Sequence, residues 1–84
     1  MNIVFTELSW EQYQYWQKND KKIIERIHDL IKDIQGNQFK GIGKPEPLKG
    51  NLKGFWSRRI DEEHRLVYRI TNQQIEIVQC RYHY

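Results

Sequence analysis

Between Lys21 and Gln35 the apolar residues Ile23, Ile24, Ile27, Leu30, Ile31 and Ile34 recur at steps of three and four. That spacing predicts an amphipathic helix with one apolar stripe. Asp20 stands where an N-cap is wanted, and Gly36 supplies the stop. Just upstream, "SWEQYQYWQKN" (9–19) repeats the pattern with Trp10, Tyr13 and Trp16, and Ser9 is the expected cap. Three aromatics so close together could serve as a platform for stacked bases, but helical spacing favours core. Before them "NIVFT" (2–6) is short, β-branched and aromatic, and reads as a strand. After Gly36 the period vanishes. Residues 36–54 hold five glycines and both prolines, so no long element is expected. Then "FWSRRI", "HRLVYRI" and "IEIVQCRYHY" each have strand character, joined by "DEE" and "TNQQ". Connections this short predict an antiparallel meander. The expected fold class is α+β: two N-terminal helices on one face of an antiparallel sheet, with the other face open to solvent.

Alternation along the last strand sorts its side chains. Val78, Cys80, Tyr82 and Tyr84 fall on one face, and Gln79, Arg81 and His83 on the other. With Arg59 and Arg65 from the neighbouring strands, the second set forms a basic open face. His83 and Tyr84 would then be ordered by the hydrogen bonds of a strand that runs to the last residue. Ile75 and Ile77 share the parity of His83 and break this pattern. Either the basic face is confined to one end of the sheet or a bulge shifts the register.

Composition narrows the picture. Eighty-four residues suit one domain spanning 1–84, and 13% aromatic residues argue against disorder. The lone Cys80 excludes an internal disulfide and a cysteine zinc site, and reads as a small buried residue. No apolar run exceeds three residues, far short of the roughly 20 of a membrane span. The expected location is the cytoplasm. Charge is uneven: residues 1–39 carry five Lys/Arg against six Asp/Glu, and residues 40–84 carry nine against five. Between Lys40 and Arg59 six cations accompany a single carboxylate, Glu46. A basic half suits a polyanion, although a solvated basic surface has the same composition.

Arginines with a histidine and a nearby carboxylate suit cleavage of RNA. The 2′-hydroxyl is a nucleophile already held beside the phosphate. The protein must take the 2′ proton, stabilise charge on the phosphorane and protonate the leaving 5′-oxygen. No metal is required for this, and the chain lacks the acidic clusters that hold Mg²⁺. Glu46 lies between two prolines in "KPEP", which restrict its backbone, with Lys44 and Lys49 near it. It is either a base or a counter-charge for its loop, and spacing alone favours the counter-charge.

The series "GKPEPLKGNLKGFWSRRI", "EEHRLVY" and "CRYHY", together with "YQYWQ" and "LIKDI", resembles the YoeB group of RelE-superfamily toxins along the whole chain. The resemblance implies a microbial-ribonuclease-like fold. It implies a toxin of a type II toxin–antitoxin pair that cuts mRNA in the ribosomal A site. By the same resemblance Glu46 is the general base, His83 the general acid, Arg65 the phosphate stabiliser and Tyr84 a substrate-orienting residue. Lys44, Lys49, Arg59 and Arg81 are the expected RNA-binding cations. No cofactor is implied. Expected partners are ribosome-bound mRNA, a YefM-like antitoxin and a second copy of the chain, with no membrane. "ERIHDL" and "IQGNQ" depart most from the family, which bears on ribosome contacts and antitoxin choice. Two other function classes stay open on the sequence: a non-catalytic toxin of this fold that poisons a protein such as gyrase, and a plain basic RNA-binding module.

Overall fold

The computed structural model describes residues 1–84. Its elements are β1 (Asn2–Phe5), α1 (Glu7–Asn19), α2 (Lys21–Gly36), β2 (Glu46–Pro47), a 3₁₀ turn (Gly50–Leu52), β3 (Trp56–Arg59), β4 (Arg65–Thr71) and β5 (Gln74–Gln79). The five strands form one sheet in the order β1-β5-β4-β3-β2. The meander β3–β4–β5 is antiparallel as expected, and β2 joins it antiparallel. β1 runs parallel to β5, which makes the sheet mixed. That pairing places the two helices in the crossover between β1 and the rest of the sheet.

The α2 stripe packs as its spacing predicts. Ile27, Leu30 and Ile34 are fully buried against Leu66, Tyr68, Ile75 and Ile77, while Ile23, Ile24 and Ile31 flank them half-buried. Asp20 caps the helix by accepting from the amides of Lys22 and Ile23. In α1 the cap differs from expectation. Thr6 is the N-cap, accepting from the Ser9 amide, and Ser9 lies inside the first turn. The inward face of the helix carries Ser9, Gln12 and Trp16, and Trp10 is 45% exposed rather than in the core. This buried face is largely polar and grips the end of β5. The Ser9 hydroxyl donates to the Ile77 carbonyl at 2.6 Å, Gln12 Oε1 accepts from the Cys80 amide, and Trp16 Nε1 donates to the Cys80 carbonyl. Cys80 itself is buried, and burial pushes its thiol up to about 12, which leaves it unreactive.

The conflict in parity is resolved by a bulge. Val67 pairs with Gln79 and Tyr68 with Ile77, so Val78 is the extra residue. Ile75, Ile77 and Cys80 therefore all reach the core despite their mixed parity. At the other end, Asn72 and Gln73 both take positive φ in the two-residue turn between β4 and β5.

The segment after α2 is held by one buried cation. Arg58, fully buried on the helix-facing side of β3, donates to the carbonyls of Asn37, Lys40 and Ile42, to the Tyr68 hydroxyl, and to the carboxylate of Asp33 on α2. Tyr68 in turn donates to the Gln38 carbonyl. The loop passes so close that a Cβ at Gly41 would lie 1.9 Å from Asp33 Oδ2, and Gly41 has φ +127°. Two residues on, the Gly43 carbonyl accepts from the Arg59 amide at 2.6 Å, which delivers Lys44 and Glu46 to the edge of the sheet.

The hydrogen bond from Arg58, and then that from the Ile42 amide, holds the Asp33 carboxyl below its ordinary value of 3.8. A depressed carboxyl stabilises the fold above its unfolded-state value and loses that contribution as pH falls through the folded one. Urea midpoints should therefore fall with acidification below about pH 4. Asp33→Asn should flatten that decline; an unchanged profile would show that the pair does not govern acid sensitivity.

Candidate active site

Opposite residues in an antiparallel pair share a face. Glu46 stands opposite Ser57, Ser57 opposite Val67, and Val67 opposite Gln79, forming one row across the sheet. Arg59 and Arg65 are opposite one another in the next row. All lie on the face away from the helices, since the alternate residues Arg58, Leu66 and Tyr68 enter the core. From strand geometry Glu46 and Arg65 are offset by roughly 10 Å across and roughly 7 Å along the sheet. No hydrogen bond or ion pair joins them: ion pairs occur only at Arg58–Asp33, His64–Glu63 and Arg69–Glu76. Lys44, Lys49 and Arg59 are exposed and unpaired. These three free cations beside one free carboxylate form a surface that lacks counter-charge.

Arg65 is 8% exposed, and its guanidinium is fixed by its own turn. Nη1 donates to the carbonyls of Asp61 (2.7 Å), Glu62 (3.3 Å) and His64 (3.1 Å). Nε and Nη2 have no partner in the chain, and the sole buried unpaired side-chain polar atom is Arg81 Nε, so both face solvent. One edge of the fork is thus immobilised and the other is free for a bidentate oxyanion.

The tail departs from expectation. β5 ends at Gln79, and residues 80–84 leave the sheet instead of continuing the strand. Tyr82 adopts φ +69° and turns the chain. Its carbonyl accepts from the Arg65 amide at 3.1 Å and its amide donates to His64 Nδ1 at 2.7 Å. The turn brings Tyr84 over the open face, its hydroxyl 3.2 Å from Ser57 Oγ. Ser57 is only 3% exposed although it faces away from the helices. The His83 ring lies against that of Tyr84, tilted by 33° with centroids 4.8 Å apart, and its Nδ1 donates to the Tyr84 main-chain oxygen at 3.0 Å. That bond leaves Nε2 free. Tyr84 is therefore beside the Glu46 row and His83 beside Tyr84.

Arg81 is not on this face. Its guanidinium carbon lies 3.6 Å from the centroid of the Tyr15 ring, 4.6 Å from that of Tyr82 and 5.6 Å from that of Trp16. Alternation fails from Cys80 onward because the strand has ended, so its parity with His83 carries no meaning. Three residues that shape this face carry no local sequence signal: Arg58, whose burial nothing nearby announces; Ser57, a small polar residue of the same parity as Arg59; and His64, which opens the strand-like run "HRLVYRI". No three His, Cys, Asp or Glu side chains converge as a metal centre would require. No helix is long and apolar enough to cross a membrane.

The family model that matches describes a YoeB-like toxin of bacterial type II toxin-antitoxin systems, and it covers residues 5–84. "Toxin YoeB" of Escherichia coli K12 is 57% identical over 84 residues, all of both chains. A YoeB/ParE toxin from Agrobacterium tumefaciens superposes with TM-score 0.98 at 50% identity, covering both chains fully. The YoeB of Staphylococcus aureus, solved as a heterotetrameric YoeB-YefM complex and as a dimer, superposes with TM-score 0.94 at 50% identity. In each case the match covers 100% of this chain and 98% of that one.

Proposed function

The chain belongs to the YoeB-like toxins of bacterial type II toxin-antitoxin systems, and from that premise we propose that it is an endoribonuclease. Its substrate is mRNA in the ribosomal A site, and it cuts by attack of the 2′-hydroxyl on the adjacent phosphate. Glu46 takes the 2′ proton. Arg65 offers the free edge of its guanidinium to the phosphorane oxygens. His83 protonates the departing 5′-oxygen through Nε2, while its Nδ1–H rests on the Tyr84 main-chain oxygen. Tyr84 orients the nucleotide, and Lys44, Lys49 and Arg59 hold the RNA backbone. The observation that carries this reading is the turn at Tyr82, which lays Tyr84 on Ser57, the register partner of Glu46. The staphylococcal complex with YefM supports a YefM-like antitoxin as partner, and the staphylococcal dimer supports self-association.

Primer extension on mRNA in a translating extract tests it. The wild type should leave new 5′ ends within codons, and a single 2′-deoxy substitution at the cut site should abolish them, because the nucleophile is gone. Cleavage of the deoxy substrate would overturn the mechanism. Intact mRNA with arrested DNA supercoiling would point instead to a binding toxin.

A further inference from the structure

Beyond Cys80 the main chain of the tail is held to the rest of the protein at one residue, Tyr82. Its left-handed φ of +69° is a conformation that non-glycine residues seldom take unless their surroundings impose it. Three neighbours impose it. The Arg65 amide and the Gln79 side-chain amide both donate to the Tyr82 carbonyl, and the ring of His64 alone holds the Tyr82 amide. That ring is itself immobile. His64 is 8% exposed and lies edge-on to Trp16, with centroids 4.8 Å apart. Its amide donates to Asp61 Oδ1, and its carbonyl accepts from the Ile60 amide and from Arg65 Nη1. Because Nδ1 accepts from an N–H, the ring proton must sit on Nε2, which lies 3.9 Å from Glu63 Oε1.

We propose that His64 is a positioning residue of the cleavage site. Its Nδ1 sets the turn at Tyr82 that carries Tyr84 onto Ser57 and His83 beside it. The same two-residue segment thus fixes both halves of the site: Arg65 presents the guanidinium, and His64 presents the tail. The alternative is that the ring merely fills space against Trp16. The inference rests on the endoribonuclease reading above, but half of its test does not depend on cleavage.

Nitrogen NMR of the wild type should show His64 as the Nε2–H tautomer with a protected Tyr82 amide; an Nδ1–H tautomer overturns the proposal whatever the activity. Two variants separate acceptor from filler. His64→Asn places Oδ1 where Nδ1 stands. His64→Phe keeps the ring against Trp16 and has no acceptor. With programmed ribosomes in excess, His64→Phe should cleave about 100-fold more slowly, the scale of a misplaced reacting group, and the Tyr82 amide should exchange faster. His64→Asn should recover most of the rate and the amide protection. Equal loss in the two variants, or loss in neither, overturns the proposal. Should His64→Phe not fold, rate and protection in His64→Asn decide: their retention supports the acceptor role, and a folded but slow Asn variant sinks it. A wild type that cuts no RNA defeats the endoribonuclease reading, while the tautomer and the Tyr82 amide still judge the clamp.

Discussion

Arg58→Met should lose about 3–5 kcal/mol of stability, because a fully buried guanidinium is the donor to three main-chain carbonyls, each costing about 1–3 kcal/mol when left unpaired, and Asp33, a third exposed, also loses its partner. Domains of this kind hold only roughly 5–15 kcal/mol in all, so a substantial fraction of the variant should be unfolded at neutral pH. A buried ion pair alone is weak evidence for stability, because well-packed apolar residues can often replace it. The case here is different. Besides Asp33, the guanidinium serves the carbonyls of Asn37, Lys40 and Ile42, and these accept no other hydrogen bond. No apolar side chain can satisfy them, and each would be left without a donor. Asp33→Asn keeps the fork and its three carbonyls, and should cost markedly less. Urea titration of both variants checks this. A midpoint for Arg58→Met equal to that of the wild type would show that the loop is held by something else.

The residues that sequence reading placed well and those it missed differ in the range of the interaction. The α2 helix and the hairpins follow from local period and turn chemistry, and the stripe from Ile23 to Ile34 lands in the core as its spacing demands. The bulge at Val78 was half legible, because Ile75 and Ile77 could not share a polar face with His83. Arg58 was not legible: a charged residue in "WSRR" reads as surface until Asp33, 25 positions away, is brought against it. The tail failed for the same reason. Alternation assumes a continuing strand, whereas Gln12, Trp16 and His64 from distant segments capture the Cys80 and Tyr82 main chain and bend it. Thus residue type and chain order suffice to nominate Glu46, Arg65, His83 and Tyr84 as candidates. The approach of Tyr84 to Ser57, opposite Glu46, and the turning of Arg81 onto the Tyr15 ring depend on contacts that no local pattern encodes.

Glu46→Gln and His83→Ala should each slow cleavage by about 10²–10⁴-fold, the range for loss of a positioned proton-transfer group. Neither should disturb the fold. Both residues are exposed, the Glu46 side chain makes no hydrogen bond, and His83 makes one. Melting curves of the two variants should therefore overlay that of the wild type. Rate loss alone does not assign roles, since any group in the site slows the reaction when removed, and losses within a cooperating set do not add. The leaving group separates them. A thiolate needs no proton to depart, so an mRNA with sulfur in place of the bridging 5′-oxygen at the cut site removes the need for a general acid. His83→Ala should then regain most of the rate that it lost on the oxygen substrate. Glu46→Gln should not, because the 2′-hydroxyl still has to give up its proton. Recovery in both variants, or in neither, would refute the division of labour between the carboxylate and the imidazole. Rescue of Glu46→Gln alone would reverse it.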